Sequence, residues 1–306
     1  MSSKPSAIKA EETTLSLVLG SGGARGLAHI GVIRELEKAG FRIASISGCS
    51  IGAMVGGVYA AGKLDEFEDW VCAIRKVDIV KLLDIAWEKN GLMKGDRIMD
   101  TLTELVGDQQ IEDLAIPFTA VASDLSRQKE VWLRKGSLFD AIRASISLPL
   151  LLTPVAYKDS LLIDGGVLNP VPIAPTLNDR TDFTLAVNLG GRLKEPSRSA
   201  RAAVTDPEAG KSDERSLLHR KLVQFIGELG SSMSESDTSW GMYDIGNQAF
   251  DVMQSAIARH QLAVHPPDYV IEVPRNACGL FEVDRAREMI SIGRNKTAAL
   301  LAELSL

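Results

Sequence analysis

Ile43-Ala44-Ser45-Ile46-Ser47-Gly48-Cys49-Ser50-Ile51-Gly52 is the stretch on which the reading of this chain turns. Ile43 to Ser47 reads as a short buried strand, and Gly48-Cys49-Ser50-Ile51-Gly52 follows as a tight turn of the form glycine, any, serine, any, glycine. A small-residue helix closing at Gly62 comes next. A serine at such a junction can be lifted above a sheet as a nucleophile, and the flanking glycines remove Cβ atoms that would clash in the strained turn. The pentapeptide alone is weak, because a glycine-rich chain produces it by chance. The strand before it and the helix after it supply the context the motif requires. The competing reading is a tight turn holding an inert serine. Residues 43–62 also run for 20 positions without a charge, which is membrane-spanning length. Five glycines, three serines and small apolar side chains favour a buried strand, turn and helix instead.

Upstream, Leu15 to Leu19 is an apolar run ending in Gly20-Ser21-Gly22-Gly23-Ala24-Arg25-Gly26. A helix from His29 to Ala39 follows, with Ile30, Ile33 and Leu36 at helical spacing and Gly40 at the C-terminal cap position. Two strand, glycine-turn and helix units in succession predict an α/β fold with a mainly parallel sheet and right-handed crossovers. The glycine loop at a helix N-terminus can gather backbone N–H groups around negative charge, either a phosphate or the oxyanion of acyl transfer. Dinucleotide binding is disfavoured: Arg25 stands where the fingerprint needs its last glycine, and Ile43 to Ser47 ends in no acid. An oxyanion hole serving Ser50 fits better.

Downstream, residues 65–114 read as helical with breaks near Asn90-Gly91 and Gly107-Asp108. Strands are predicted at Phe118 to Ala122, Glu130 to Leu133, Leu161 to Ile163, Phe183 to Leu189 and Tyr269 to Val273, with a last helix from Val283 to Leu304. Residues 1–14 read as a flexible N-terminal segment, and 15–306 as a single domain. Gly190 to Ser216 holds six basic and five acidic residues and no aromatic, which predicts a mobile surface insertion. Eleven of the 26 glycines fall within the first 62 residues, so the two turns absorb most of that surplus.

The charge of −6 gives no polycationic footprint, and no nucleic-acid partner is expected. Cys49, Cys72 and Cys278 are odd in number and widely spaced, without zinc-like spacing, which fits a reducing compartment, no metal and a cytoplasmic location. Only His29, His219, His260 and His265 are available to a histidine mechanism. A Ser50, Asp164, His265 order is formally allowed, but His260 lies in a helical segment and His265 precedes Pro266-Pro267. Asp164-Gly165-Gly166 ends a strand, from which an aspartate projects into a site at the strands' C-terminal ends. Read from the residues alone, Asp164 as base and Asp164 as a turn residue stand about even.

These blocks resemble the patatin-like phospholipases, and more closely the single-domain bacterial members related to the catalytic domain of neuropathy target esterase. The resemblance rests on four motifs in order: Gly22-Gly23-Ala24-Arg25-Gly26, Gly48-Cys49-Ser50-Ile51-Gly52, Arg143-Ala144-Ser145-Ile146-Ser147-Leu148-Pro149, and Asp164-Gly165-Gly166 with Asn169-Pro170. It implies a three-layer α/β sandwich and a serine–aspartate dyad with Ser50 as nucleophile and Asp164 as general base. It also implies an oxyanion hole from Gly22, Gly23, Ala24, Arg25 and Gly26, no cofactor, and phospholipid, lysophospholipid or related acyl esters as substrates. Peripheral membrane contact, including at the inner membrane face, is part of the same expectation. Desolvation is expected to raise the Asp164 pKa, and Arg25 is expected to serve the loop's structure. Cys49 and Ile51 replace smaller residues often seen beside the family's serine. A regulatory or binding protein with slight catalysis on the same fold is the alternative from another class.

Overall fold

In β1 (Thr14–Leu19), Leu15, Leu17 and Leu19 leave one face of the strand and Val18 the other, and all four are fully buried. A strand buried on both faces requires cover on both sides of its sheet. A computed structural model, which describes residues 13–75, 78, 95–193 and 242–304, provides that cover. The helices are α1 (Ala28–Lys38), α2 (Ile51–Ala60), α3 (Leu64–Ala73), α4 (Asp96–Val106), α5 (Leu138–Ser145), α6 (Met242–Val264) and α7 (Ala286–Glu303). The remaining strands are β2 (Arg42–Cys49), β3 (Phe118–Asp124), β4 (Lys129–Leu133), β5 (Val155–Tyr157), β6 (Ser160–Asp164), β7 (Phe183–Gly191) and β8 (Tyr269–Pro274).

The eight-stranded sheet runs β5-β6-β3-β2-β1-β7-β8, with β4 also paired to β3. The pairs β3–β2, β2–β1, β1–β7 and β7–β8 are parallel, and β4, β5 and β6 join antiparallel. The larger apolar core lies between one sheet face and α1, α2, α5 and α7. The smaller one joins Val18, Val171, Ile173 and Ala186 to Ala258 of α6 on the opposite face. Helices therefore sandwich a mostly parallel sheet, the three-layer α/β arrangement expected from the motifs.

One register detail places the site. β4 lies along residues 120–124 of β3, so β2, paired to 118–121, and β6, paired to 122–124, must share the other edge. Cys49 is opposite Val121, and Asp164 is opposite Ala122. The end of β2 and the end of β6 thus meet head-on along one edge of β3.

The strands lie where the sequence places them, to within a few residues at their ends, with two additions. The short β5 makes a hairpin with β6, and β7 continues to Gly191, two residues into the segment read as an insertion. The rest of that segment from position 194 lies outside the described residues, as do positions 1–12 and the expected break at Asn90-Gly91. The break at Gly107 is present, with φ +85 immediately after α4. Among the described residues, no helix is long and apolar enough to cross a membrane.

Candidate active site

Ser50 stands between β2 and α2 with φ +56 and ψ −126, a backbone conformation that a side chain other than glycine rarely adopts. Such strain persists only when the surroundings enforce it. At Gly52, an added Cβ would lie 2.1 Å from the Leu19 carbonyl oxygen, so the turn is pressed against the end of β1. From the other side, the Ser50 N–H donates to Ser145 Oγ (2.9 Å), and that hydroxyl donates onward to the Val121 carbonyl (2.6 Å).

The Ser50 hydroxyl donates to Asp164 Oδ2 at 2.6 Å. Asp164 is 1% exposed, and its Oδ1 accepts the Gly166 N–H at 2.7 Å. Its own N–H donates to the Ser147 carbonyl (2.9 Å). The end of α5 and the residues after it therefore hold both members of the pair. Burial raises the Asp164 pKa to about 6, and the hydrogen bonds from Ser50 and Gly166 partly oppose that rise. The result is a carboxylate more basic than a solvated one and still largely ionised at neutral pH.

The glycine loop begins beside this pair. Gly23 has φ +56, and a Cβ there would lie 2.3 Å from Leu280 Cδ1, so only glycine fits without displacing Leu280. The N–H groups of Gly22 and Gly23 have no acceptor among the described residues, whereas Ala24 N–H is committed to the Leu280 carbonyl (2.9 Å). Gly26 is packed against Ile51, whose Cγ2 would lie 2.1 Å from an added Cβ. The Arg25 side chain is committed to partners within the protein. Its Nε donates to the Gly22 carbonyl (3.0 Å), and its terminal nitrogens to the Arg275 carbonyl (2.6 Å) and Asp251 (2.8 Å). Of the five loop residues expected to form an oxyanion hole, Gly22 and Gly23 retain donors to offer, and the Arg25 side chain shapes the loop.

Two contributors went unassigned in the sequence. His29 is fully buried, with a pKa lowered to about 4 by burial, so the ring is neutral; Nε2 lies 2.9 Å from the Gly20 carbonyl. Its place in the first turn of α1, directly after the glycines, was the only signal. Ser145 lies inside the quoted Ala144-Ser145 block, but nothing in its spacing says that it meets Ser50, 95 residues away. Cys49 is buried with its Sγ 4.0 Å from Asp164 Oδ1, and burial pushes its thiol pKa well up. That is the environment of an inert thiol. His260 is exposed on α6 and His265 lies just past its end; neither bonds to Ser50 or Asp164. His219 lies outside the described residues. Among the described residues no group of three His, Cys, Asp or Glu is placed to hold a metal ion.

Comparison with known proteins gives a match to the patatin-like phospholipase family model over residues 17–177. An uncharacterized NTE family protein of Mycobacterium tuberculosis is 39% identical over 320 residues, covering 92% of this chain and 89% of that protein. Lysophospholipase nte1 of Emericella nidulans is 33% identical over 184 residues, 58% of this chain and 12% of that protein. The human patatin-like phospholipase domain-containing protein 6 is 33% identical over 188 residues, 58% of this chain and 14% of that protein. Among solved structures, VipD from Legionella pneumophila aligns with 96% of this chain and 67% of its own, at 15% identity and a TM-score of 0.46.

Proposed function

From the premise that this chain belongs to the patatin-like phospholipase family, a family of lipid hydrolases, we propose that it hydrolyses the acyl ester of a lysophospholipid or phospholipid through Ser50 and Asp164. The observation that carries the reading is the direct 2.6 Å hydrogen bond from the strained Ser50 hydroxyl to a buried carboxylate whose pKa is about 6.

Asp164 Oδ2 takes the hydroxyl proton as Ser50 Oγ bonds to the acyl carbonyl carbon, and the carbonyl π electrons move onto oxygen. The free N–H groups of Gly22 and Gly23 face that developing charge. Collapse of the tetrahedral intermediate breaks the bond to the alcohol oxygen, which leaves with the proton from Asp164. Water then adds to the acyl-serine, gives its proton to Asp164, and the fatty acid departs as the Ser50 hydroxyl regains that proton. A lysophospholipid is the first substrate to try, because curated relatives carry the name lysophospholipase.

The test is a panel of phospholipids and lysophospholipids incubated with purified protein, with released fatty acid measured by mass spectrometry. Release by wild type that Ser50→Ala lowers by a factor on the order of 10⁶ supports the reading. Release that survives Ser50→Ala removes it. If no lipid or simple ester is cleaved by wild type, the binding-protein alternative takes its place.

A further inference from the structure

One helix holds both flanks of the glycine loop. On α6, Asp251 and Gln254 stand one turn apart on one face, and Ala258 carries that face into the smaller core beside Val18 and Val171. Asp251 Oδ1 accepts from an Arg25 terminal nitrogen at 2.8 Å, and the Gln254 amide nitrogen donates to Ser21 Oγ at 3.3 Å. Ser21 directly precedes Gly22 and Gly23, and Arg25 follows them after Ala24. The same Gln254 nitrogen lies 2.3 Å from where a Cβ at Gly166 would be, so α6 also closes over the Asp164-Gly165-Gly166 turn. The whole of α6 lies outside residues 17–177, the stretch matched by the family model.

A planar peptide converts that hold into a direction. The Gly22 carbonyl and the Gly23 N–H belong to one peptide group, which is trans, so they point opposite ways. Arg25 Nε donates to that carbonyl at 3.0 Å, and the N–H on the other side of the plane is one of the two donors without an acceptor among the described residues. The guanidinium therefore sets where the Gly23 N–H points. It is a rigid plane, held beyond Gly22 by the Arg275 carbonyl (2.6 Å) and by Asp251. The Arg25 side chain is 7% exposed, and Asp251 is its one anionic partner among the described residues.

Resting on the hydrolase reading above, we propose that Asp251 is a positioning residue for the oxyanion hole: through Arg25 it aims the Gly23 N–H at the acyl oxyanion, while Gln254 steadies the other flank through Ser21. Without Asp251 the guanidinium is left with two carbonyls to pivot on and a buried charge that has no counter-ion. The Gly22–Gly23 peptide moves with it. A displacement of about 1 Å at a donor lowers the rate about 10²-fold, and the ground-state complex, which carries no oxyanion, is little affected.

The experiment reads the oxyanion interaction apart from folding. Wild type, Asp251→Ala, Asp251→Asn, Gln254→Met and the double variant Asp251→Ala with Gln254→Met are assayed on a water-soluble short-chain ester. Rates are expressed per Ser50 that a fluorophosphonate labels at completion, so unfolded chains do not count. The second probe is an alkyl trifluoromethyl ketone, because addition of Ser50 to its carbonyl places a negative oxygen where the oxyanion forms. Expected for Asp251→Ala is a kcat lower by about 10- to 100-fold with KM little changed, and a ketone inhibition constant raised by the factor by which kcat/KM falls. Asp251→Asn keeps an acceptor oxygen and should retain more of the rate. The double variant should approach the loss of one oxyanion donor, about 10²–10³-fold. An unchanged kcat in Asp251→Ala overturns the proposal. So does a fall in kcat with unchanged ketone inhibition, or a rise in KM alone, since α6 then serves stability or substrate binding and not the oxyanion. Failure of the hydrolase reading has a different signature: wild type cleaves no ester and takes no label, and this proposal falls with it.

Discussion

Asp164 has to be ionised to accept a proton, and its burial works against that. With the pKa raised from 3.8 to about 6, kcat/KM on a soluble ester is expected to fall about tenfold per pH unit below 6 and to level off above it. A profile flat down to pH 4 would remove Asp164 as base. The same shift bears on stability. The folded carboxyl holds its proton more tightly than the unfolded one, so its contribution is fully present below the unfolded value near 4 and is lost as pH rises through 6. The difference of about two units corresponds to about 3 kcal/mol of destabilisation at pH 8. Asp164→Asn is therefore expected to abolish activity while raising the melting temperature at pH 8, with a smaller gain at pH 5; a lower melting temperature at pH 8 would contradict this. Read from the residues alone, this aspartate could equally have been a turn residue. Its desolvation, which supports the reading as a base, comes from the fold around it and not from its neighbours in sequence.

The elbow is an element held from both sides. Ser145 is the acceptor for the Ser50 N–H, and Leu19 blocks any side chain at position 52. Ser145→Ala leaves that N–H and the Val121 carbonyl without their partner, a loss of about 1–3 kcal/mol in stability. It also frees the nucleophile to drift, and a displacement near 1 Å lowers kcat by about 10²-fold. The expected pattern is a reduced kcat with KM little changed; a change in KM alone would assign Ser145 to substrate binding instead. Gly52→Ala has no room to relax because the obstacle is backbone, and a fall in the denaturation midpoint equivalent to about 3 kcal/mol or more is expected. The elbow was legible because its glycines, strand and helix are contiguous in sequence. The support from Ser145 was not, since it is a contact across 95 residues. The helix after the elbow was expected to close at Gly62, and with φ +70 and nothing within 4 Å of an added Cβ that glycine turns the chain just after α2.

At the scale of the molecule, the chemistry-bearing blocks lie within residues 17–177, but the fold does not. β1 takes its second parallel partner from β7, with Leu15 to Leu19 opposite Phe183 to Val187. α1 packs on α7 so closely that a Cβ at Gly31 would lie 1.9 Å from the Ile290 carbonyl and one at Gly293 2.0 Å from that of Ala28. A fragment ending at residue 180 would expose the β1 edge and the α1 face together, and it is expected to be aggregated or unfolded by circular dichroism and gel filtration. A folded, active fragment would show that β7, β8 and α7 are dispensable. The centre of the parallel half was legible because β1, β2 and β7 run into glycines, at Gly20, Gly48 and Gly190. The β5–β6 hairpin was not read as one, because three-residue β5, Val155–Tyr157, is too short to show a period.

The central claim is that Ser50 is activated by Asp164 without histidine, and a fluorophosphonate probe with the modified peptide mapped by mass spectrometry reaches it directly. The expected result is covalent label on Ser50 in wild type and in His260→Ala with His265→Ala at similar rates, with labelling of Asp164→Asn slowed by orders of magnitude. Equal labelling of Asp164→Asn, or loss of labelling in the histidine variant, would contradict it.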